Sequence, residues 1–349
     1  MTLLLALALA QDTEFPIAVW LQSPRNAAAY KAAGINTYVG LWEGPTAEQL
    51  DALKAAGLKV VCHQNAVALA RKDDPTILAW MHGDEPDNAQ AKDGGYGPPI
   101  LPSKIVEDYA KLKAADRRPV LLNLGQGVAW DGWIGRGTRT NKPEDYPEYL
   151  KGCDIASFDI YPAVHDAPAV AGKLEFVAKG VERLRRWTDG KKPVWTCIEA
   201  SRIDNVKTKP APAQIRAEVW MAIIHGATGL IYFVHQFKPR FDEASLLHDA
   251  ELLKAVTEIN RQVRELAPVL NGPTATDVAS ATNVALLTKR HGGATYLFAC
   301  EMKGAAATAR FTVKGATADV LGESRTLKLR DGGFEDAFGP YEVHLYRLN

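Results

Sequence analysis

The chain has 349 residues, with 41 Lys and Arg against 41 Asp and Glu, and 47% of its residues are hydrophobic. This composition excludes a disordered, collagen-like or disulfide-stapled chain, and a zero net charge gives no electrostatic reason to bind nucleic acid. The length allows one large domain or two, with a core that needs no staple.

The first ten residues, MTLLLALALA, are apolar and end in Ala8-Leu9-Ala10, which puts small residues at the −3 and −1 positions of a cut before Gln11. Residues 1–10 therefore read as a signal peptide, and a secreted or periplasmic protein is expected. The alternative is a buried N-terminal strand or helix. The apolar run is far shorter than the ~20 residues that span a bilayer, and no later stretch is apolar for long enough, so no membrane span is expected. Cys62, Cys153, Cys197 and Cys300 have no CxxC spacing, which argues against a zinc or redox motif and for buried thiols.

Apolar runs of strand length follow in order at 15–20, 37–42, 59–63, 77–82, 120–124, 155–161, 194–198 and 229–234. Helix-period segments fall near 25–33, 46–57, 103–115, 170–187, 211–225 and 244–267. Thr46-Ala47-Glu48-Gln49 is a capping box, and Gly57 is its stop signal. Apolar strands alternating with helices make a parallel sheet covered by helices. Eight such units in ~250 residues fit a (β/α)8 TIM barrel, placed over 11–268. An open doubly wound sheet is the rival, but no GxGxxG follows the first run. Asn271-Gly272-Pro273 marks a linker. Short alternating runs beyond it, at 284–288, 294–299, 309–313 and 341–346, predict a small antiparallel β-sandwich domain over 274–349.

A barrel of this kind carries its chemistry at the C-terminal ends of the strands. The fourth run closes with His82-Gly83-Asp84-Glu85-Pro86-Asp87-Asn88 and the seventh with Ile198-Glu199-Ala200-Ser201. Trp42, Glu43, His63, Asn123, Asp159, Tyr161 and His235 end other runs and make a polar and aromatic rim of candidate substrate-binding groups. A carboxylate pair across a cleft is what glycoside hydrolysis needs: one protonates the leaving oxygen, and the other attacks or activates water. Burial beside a second carboxylate raises the pKa that the acid requires.

With Glu at the ends of strands four and seven, the chain resembles the retaining glycoside hydrolases of clan A. The resemblance implies Glu85 as acid/base, Glu199 as nucleophile, double displacement on an oligo- or polysaccharide, and no cofactor or metal. Clan members commonly carry Asn-Glu-Pro at strand four, where Asn holds the sugar 2-hydroxyl. Here the triplet is Asp84-Glu85-Pro86, and Asp accepts a hydrogen bond from that hydroxyl but donates none. Tyr161 matches the clan's strand-six Tyr that touches the nucleophile.

Bland alternatives stand beside these roles. Glu85 would serve as an acid at a helix start, and Glu199 would pair with Arg202. Asp159 would bind substrate or join a structural ion pair. Trp130 and Trp133, in a Gly-rich loop after the fifth run, would stack on sugar or pack the loop, whereas Trp20, Trp80 and Trp195 are expected in the core. A metal-dependent hydrolase using His63, His82 and His235 with Glu85 is a second class of function. A non-catalytic carbohydrate-binding protein is a third.

Overall fold

A computed structural model describes residues 14–71 and 73–349; the leader expected over 1–10 lies outside the described residues. Strands β1 (Ile17–Trp20), β2 (Thr37–Val39), β3 (Lys59–Cys62), β4 (Ile77–Met81), β5 (Val120–Leu124), β6 (Ile155–Phe158), β7 (Val194–Glu199) and β8 (Gly229–Phe233) close an all-parallel barrel in chain order. Each strand falls within one of the apolar runs or, at β7, extends it by one residue.

Alternation along the strands explains why these runs are apolar on both sides. One face fills the barrel interior with Ala18, Trp20, Val39, Val61, Met81, Leu121, Trp195, Cys197 and Ile231. The other, with Val19, Tyr38, Val60, Trp80, Leu122, Phe158 and Tyr232, packs under the helices. The interior is therefore a packed core, not a channel.

The helices are α1 (Ala27–Ala32), α2 (Ala47–Ala56), α3 (Ala66–Ala70), α4 (Pro102–Ala115), α5 (Tyr146–Tyr149), α6 (Glu175–Trp187), α7 (Pro212–Ile224), α8 (Ser245–His248) and α9 (Ala250–Leu270). The capping box at α2 forms, with Thr46 accepting from the Gln49 amide and Gly57 taking φ 65° at the stop. After β5 the chain makes 3-10 turns and only the four-residue α5. Gly125, Gly127, Gly132, Gly135 and Gly137 weaken any helix there. The buried Arg136 organises the segment instead, donating to the Lys142 carbonyl (2.8 Å) and to Asp145 (2.7 Å).

The C-terminal strands are β9 (Ala279–Ala281), β10 (Ala285–His291), β11 (Ala294–Cys300), β12 (Ala307–Val313), β13 (Thr317–Val320), β14 (Arg325–Lys328), β15 (Gly333–Phe338) and β16 (Val343–Leu348). They form antiparallel sheets in the orders β9-β12-β15 and β10-β11-β16-β13-β14. Leu297, Phe311, Phe334, Phe338 and Tyr346 make a core for this β-sandwich, with the Phe311 and Phe334 rings stacked 4.6 Å apart. The opposite face of the larger sheet turns Phe298, Cys300, Val343 and Leu345 into the barrel's own core. There Phe298 stacks on Trp220 of α7 at 5.6 Å. All four cysteines are buried and unpaired. Among the described residues, no helix is long and apolar enough to cross a membrane.

Candidate active site

The strand ends at the C-terminal rim hold several residues in the left-handed backbone region: Leu21 after β1, Glu43 after β2, Glu85 after β4 and Ile203 after β7, with φ of 47°, 51°, 41° and 53°. Non-glycine residues pay for that conformation, and such strain gathers at functional sites.

Three carboxylates meet at this rim. No helix follows β4 directly, so Glu85 is not a helix-start acid; residues 82–101 form a loop with one two-residue hairpin before α4. Interior alternation on β5 and β6 brings Asn123 beside Ser157 and carries on to Asp159 and Tyr161. Asn123 donates to Asp84 (2.9 Å) and accepts from the Ser157 hydroxyl (2.9 Å). Tyr161 donates to Asp159 Oδ2 (3.1 Å). The Glu85 and Asp159 carboxyls lie against each other, and the buried Asp159 Oδ1 receives no hydrogen bond. Two carboxylates this close repel when both are ionised, so the pair favours holding a proton.

The electrostatics follow from this crowding. Burial, then the neighbouring Asp84 charge, pushes the Glu85 carboxyl up to about 7. Burial raises Asp84 to about 6, although Asn123 works against it. Burial and then the Glu85 charge hold Asp159 well above the usual carboxylate range. Asp84 is nonetheless exposed by surface area and Glu85 half-exposed. Protein atoms crowd all three carboxyls, yet Asp84 and Glu85 keep surface in contact with water while Asp159 is buried. Cys197 reaches the same acids from β7, and burial and their charge push its thiol well up, so it is no thiolate nucleophile.

Glu199 is not brought to this cluster. Its side chain is 0% exposed. It accepts from the backbone amides of Ala163 (2.5 Å) and Val164 (3.2 Å) and contacts the carboxyl of Glu218 on α7. Glu218 is also fully buried, with no partner but Glu199. Burial raises Glu199 to about 7 and lifts Glu218 well above the usual carboxylate range, so this pair too favours holding a proton. The expected facing pair of Glu85 and Glu199 is therefore replaced by two separate acid pairs, and Arg202 is not Glu199's partner. Sequence reasoning missed Glu218. Its signal was one acid inside the apolar helix Pro212–Ile224, whose residues Ile215 and Ala217–Ile224 are all buried.

The other candidates divide. Trp42 is 68% exposed at the rim, with Glu43 and His63 exposed nearby in sequence terms at the ends of β2 and β3. Trp130 and Trp133 are half-buried and pack the β5 loop: Trp130 sits edge-on to His165, and Trp133 donates to Asn88 (2.9 Å). Asn88 in turn bonds Glu85, so Trp133 positions the acid from behind. Asp87, in the same loop, is buried scaffold, accepting from the Gly125 amide and the Tyr146 hydroxyl. Trp20, Trp80 and Trp195 are core.

His63 and His82 meet, the His63 ring bonding the His82 backbone, but His235 lies apart from them. His82 faces away from the interior and bonds the Gly152 carbonyl (2.7 Å), while His235 meets Gln22 (3.3 Å). Among the described residues no group of three His, Cys, Asp or Glu has a metal-binding arrangement. A cavity of about 770 Å³ lies at the other end of the barrel against the β domain, with Glu14 as the one carboxylate in its lining.

Neither a protein-family model nor a curated protein matches the chain. Solved structures do. An alpha-amylase from Geobacillus thermoleovorans, crystallised with acarbose, superposes with a TM-score of 0.56 at 11% identity, covering 97% of this chain and 98% of that one. A GH30 endoxylanase from Clostridium papyrosolvens superposes with a TM-score of 0.54 at 11% identity, covering 97% and 96%. At such identities the likeness shows the fold: an eight-stranded barrel with a C-terminal β domain, shared with glycoside hydrolases.

Proposed function

We propose that the chain is a glycoside hydrolase acting at the C-terminal mouth of its barrel, with Glu85 as the general acid. The observation that carries this reading is the cluster of Glu85, Asp159 and Asp84 at the strand ends, in which Asp84 and Glu85 still reach solvent. A carboxyl held near 7 is protonated often enough at neutral pH to donate to a leaving oxygen. The site offers no activated hydroxyl or thiolate, because Ser157 donates to Asn123 and Cys197 is held neutral. Acid–base work by carboxyls is what remains, and it suits glycosidic bonds.

In this reading Glu85 protonates the leaving oxygen, with Asp159, which accepts from the Tyr161 hydroxyl, as its proton-exchanging neighbour. Asp84, the most open of the three acids, faces the positive charge that grows on the sugar. Glu85 and Asp159 touch, so they do not straddle a sugar at the ~5–5.5 Å of a retaining pair. The second carboxylate thus moves from Glu199 to Asp84, since Glu199 is sealed inside the wall. The substrate is an oligo- or polysaccharide, and Trp42, Glu43 and His63 offer it a rim. Export is part of the proposal and rests on the leader alone.

The test is hydrolysis of a panel of aryl glycosides and polysaccharides by wild type and Glu85→Gln. Turnover that falls by about 10²–10⁴ in the variant supports Glu85 as the acid. Turnover that survives overturns it. Sugar binding by the wild type without any turnover returns the non-catalytic binding protein.

A further inference from the structure

An aromatic wall runs from the candidate acid pair to solvent. Tyr161, hydrogen-bonded to Asp159, lays its ring against Phe233 at the end of β8 (centroids 5.1 Å). Phe233 continues to Phe237 (6.2 Å), and Phe237 to Phe241 (5.9 Å). His235 lies parallel to Phe237 (6.1 Å) and contacts Phe233 and Phe241 as well. Phe237 is 46% and Phe241 61% exposed, and because the two rings touch they form a contiguous apolar patch of the kind that marks a binding surface.

The wall is held in shape. Gln236 and Asp242 exchange two backbone hydrogen bonds (2.9 and 2.8 Å), closing a short loop that carries both exposed rings. The carbonyl of Ile203, a β-branched residue in the left-handed region, receives the Phe237 amide (2.7 Å) and the Lys238 amide (3.3 Å). The rings are thus presented by an ordered loop, which lowers the entropy cost of binding against them. Burial lowers the His235 pKa, so the imidazole is neutral at neutral pH.

We propose that Phe233, Phe237 and Phe241 form the leaving-group subsite and that it takes a flat aromatic aglycone. This rests on Glu85 as the acid. The leaving group occupies whichever side of Glu85 continues into a surface able to hold it. Asp84, the exposed acid beside Glu85, supplies a hydrogen-bond acceptor for sugar hydroxyls. The side with Tyr161 and Phe233 supplies ring faces, which suit an aryl group of similar width. A pocket built of ring faces gains little from a second sugar's hydroxyls and loses their hydration.

The experiment compares 2-naphthyl and methyl glycosides of one sugar, with wild type and the Phe237→Ala/Phe241→Ala double variant. Both rings are exposed, so the fold tolerates their removal, and circular dichroism checks it. The proposal expects the naphthyl-to-methyl ratio of kcat/KM to fall at least tenfold in the double variant, and 2-naphthol to inhibit wild type more strongly than the variant. An unchanged ratio with unchanged 2-naphthol inhibition overturns the subsite and leaves the glycosidase standing. Hydrolysis of neither glycoside series nor of polysaccharides, with 2-naphthol still binding wild type by calorimetry, overturns the glycosidase reading and the leaving-group role with it.

Discussion

The Glu85 and Asp159 carboxyls lie against each other across the end of β5, so the charge of each acts on the other's ionisation and the two behave as one unit. The reaction needs this unit protonated. Activity should therefore fall as pH rises through about 7, the value to which burial and the Asp84 charge bring Glu85. Asp84→Asn removes that charge, makes Glu85 easier to ionise and should move the alkaline limb to lower pH. A kcat/KM profile for both proteins checks it; a limb that stays in place, or moves up, contradicts the coupling.

Asn123 should matter twice. Its amide holds Asp84 ionised, and its carbonyl receives the buried Ser157 hydroxyl. Asn123→Ala strands that hydroxyl at a cost of about 1–3 kcal/mol and lets the Asp84 pKa rise. Urea unfolding should show the loss of stability, and the kcat/KM profile should lose activity most on its acid side, where Asp84 must be ionised. A variant equal to wild type in both would remove Asn123 from the network.

The Glu199–Glu218 pair should mark the stability curve. Both carboxyls have folded pKa values raised by burial, from 4.5 to about 7 for Glu199 and well above the usual range for Glu218. The folded state then binds more protons than the unfolded one between pH 4.5 and 7, so stability is greatest below that window and declines as pH rises through it. Each proton contributes a slope of roughly 1.4 kcal/mol per pH unit there. In Glu218→Gln an amide donates to Glu199 without needing a proton, so the decline should flatten. Urea midpoints from pH 4.5 to 7.5 for both proteins test this, and parallel curves would refute it. The activity of Glu199→Gln should stay within about tenfold of wild type. A collapse that azide rescues would instead make Glu199 a nucleophile.

The same pair shows where the sequence stops being legible. The barrel strands could be placed because each is apolar on both faces, a local property. Asp159 and Tyr161 could be put in phase because strand alternation is local too. Whether Glu199 meets solvent depends on Glu218 and on two amides of the β6 loop, partners far along the chain that no periodicity announces. The aromatic wall escaped for a related reason. Phe233, Phe237 and Phe241 lie in strand end and loop, and only the backbone pairing of Gln236 with Asp242 gathers them.

Asp87 illustrates a motif residue whose role is scaffolding. It is fully buried, bonds the Gly125 amide and the Tyr146 hydroxyl, and lies 4.0 Å from the buried Arg136. Gly125 backs directly onto Glu85, where an added Cβ would lie 2.8 Å from its Oε1. Asp87→Ala should cost about 3 kcal/mol by leaving Arg136 with Asp145 as its only carboxylate partner, and should lower kcat by releasing the Gly125 backing. Asp87→Asn keeps an acceptor and should be milder in both. Equal losses in the two variants would deny the charge any part.

Trp220 tests whether barrel and β domain are one folding unit. Its ring lies on Phe298 at an interplanar angle of 9°, where the larger C-terminal sheet enters the barrel's core. A continuous apolar junction of that kind makes the two units unfold together, so wild type should melt in one calorimetric transition. Trp220→Ala removes a large ring from a site with no solvent exposure, at a cost of about 3–5 kcal/mol. The loss falls on the junction, so Tm should drop and the β domain should begin to melt apart from the barrel. A second transition in the variant, absent in wild type, is the expected signature. A single transition at the wild-type temperature would mean that the junction adds little to either unit, and that the barrel holds its mouth in shape without the sandwich behind it.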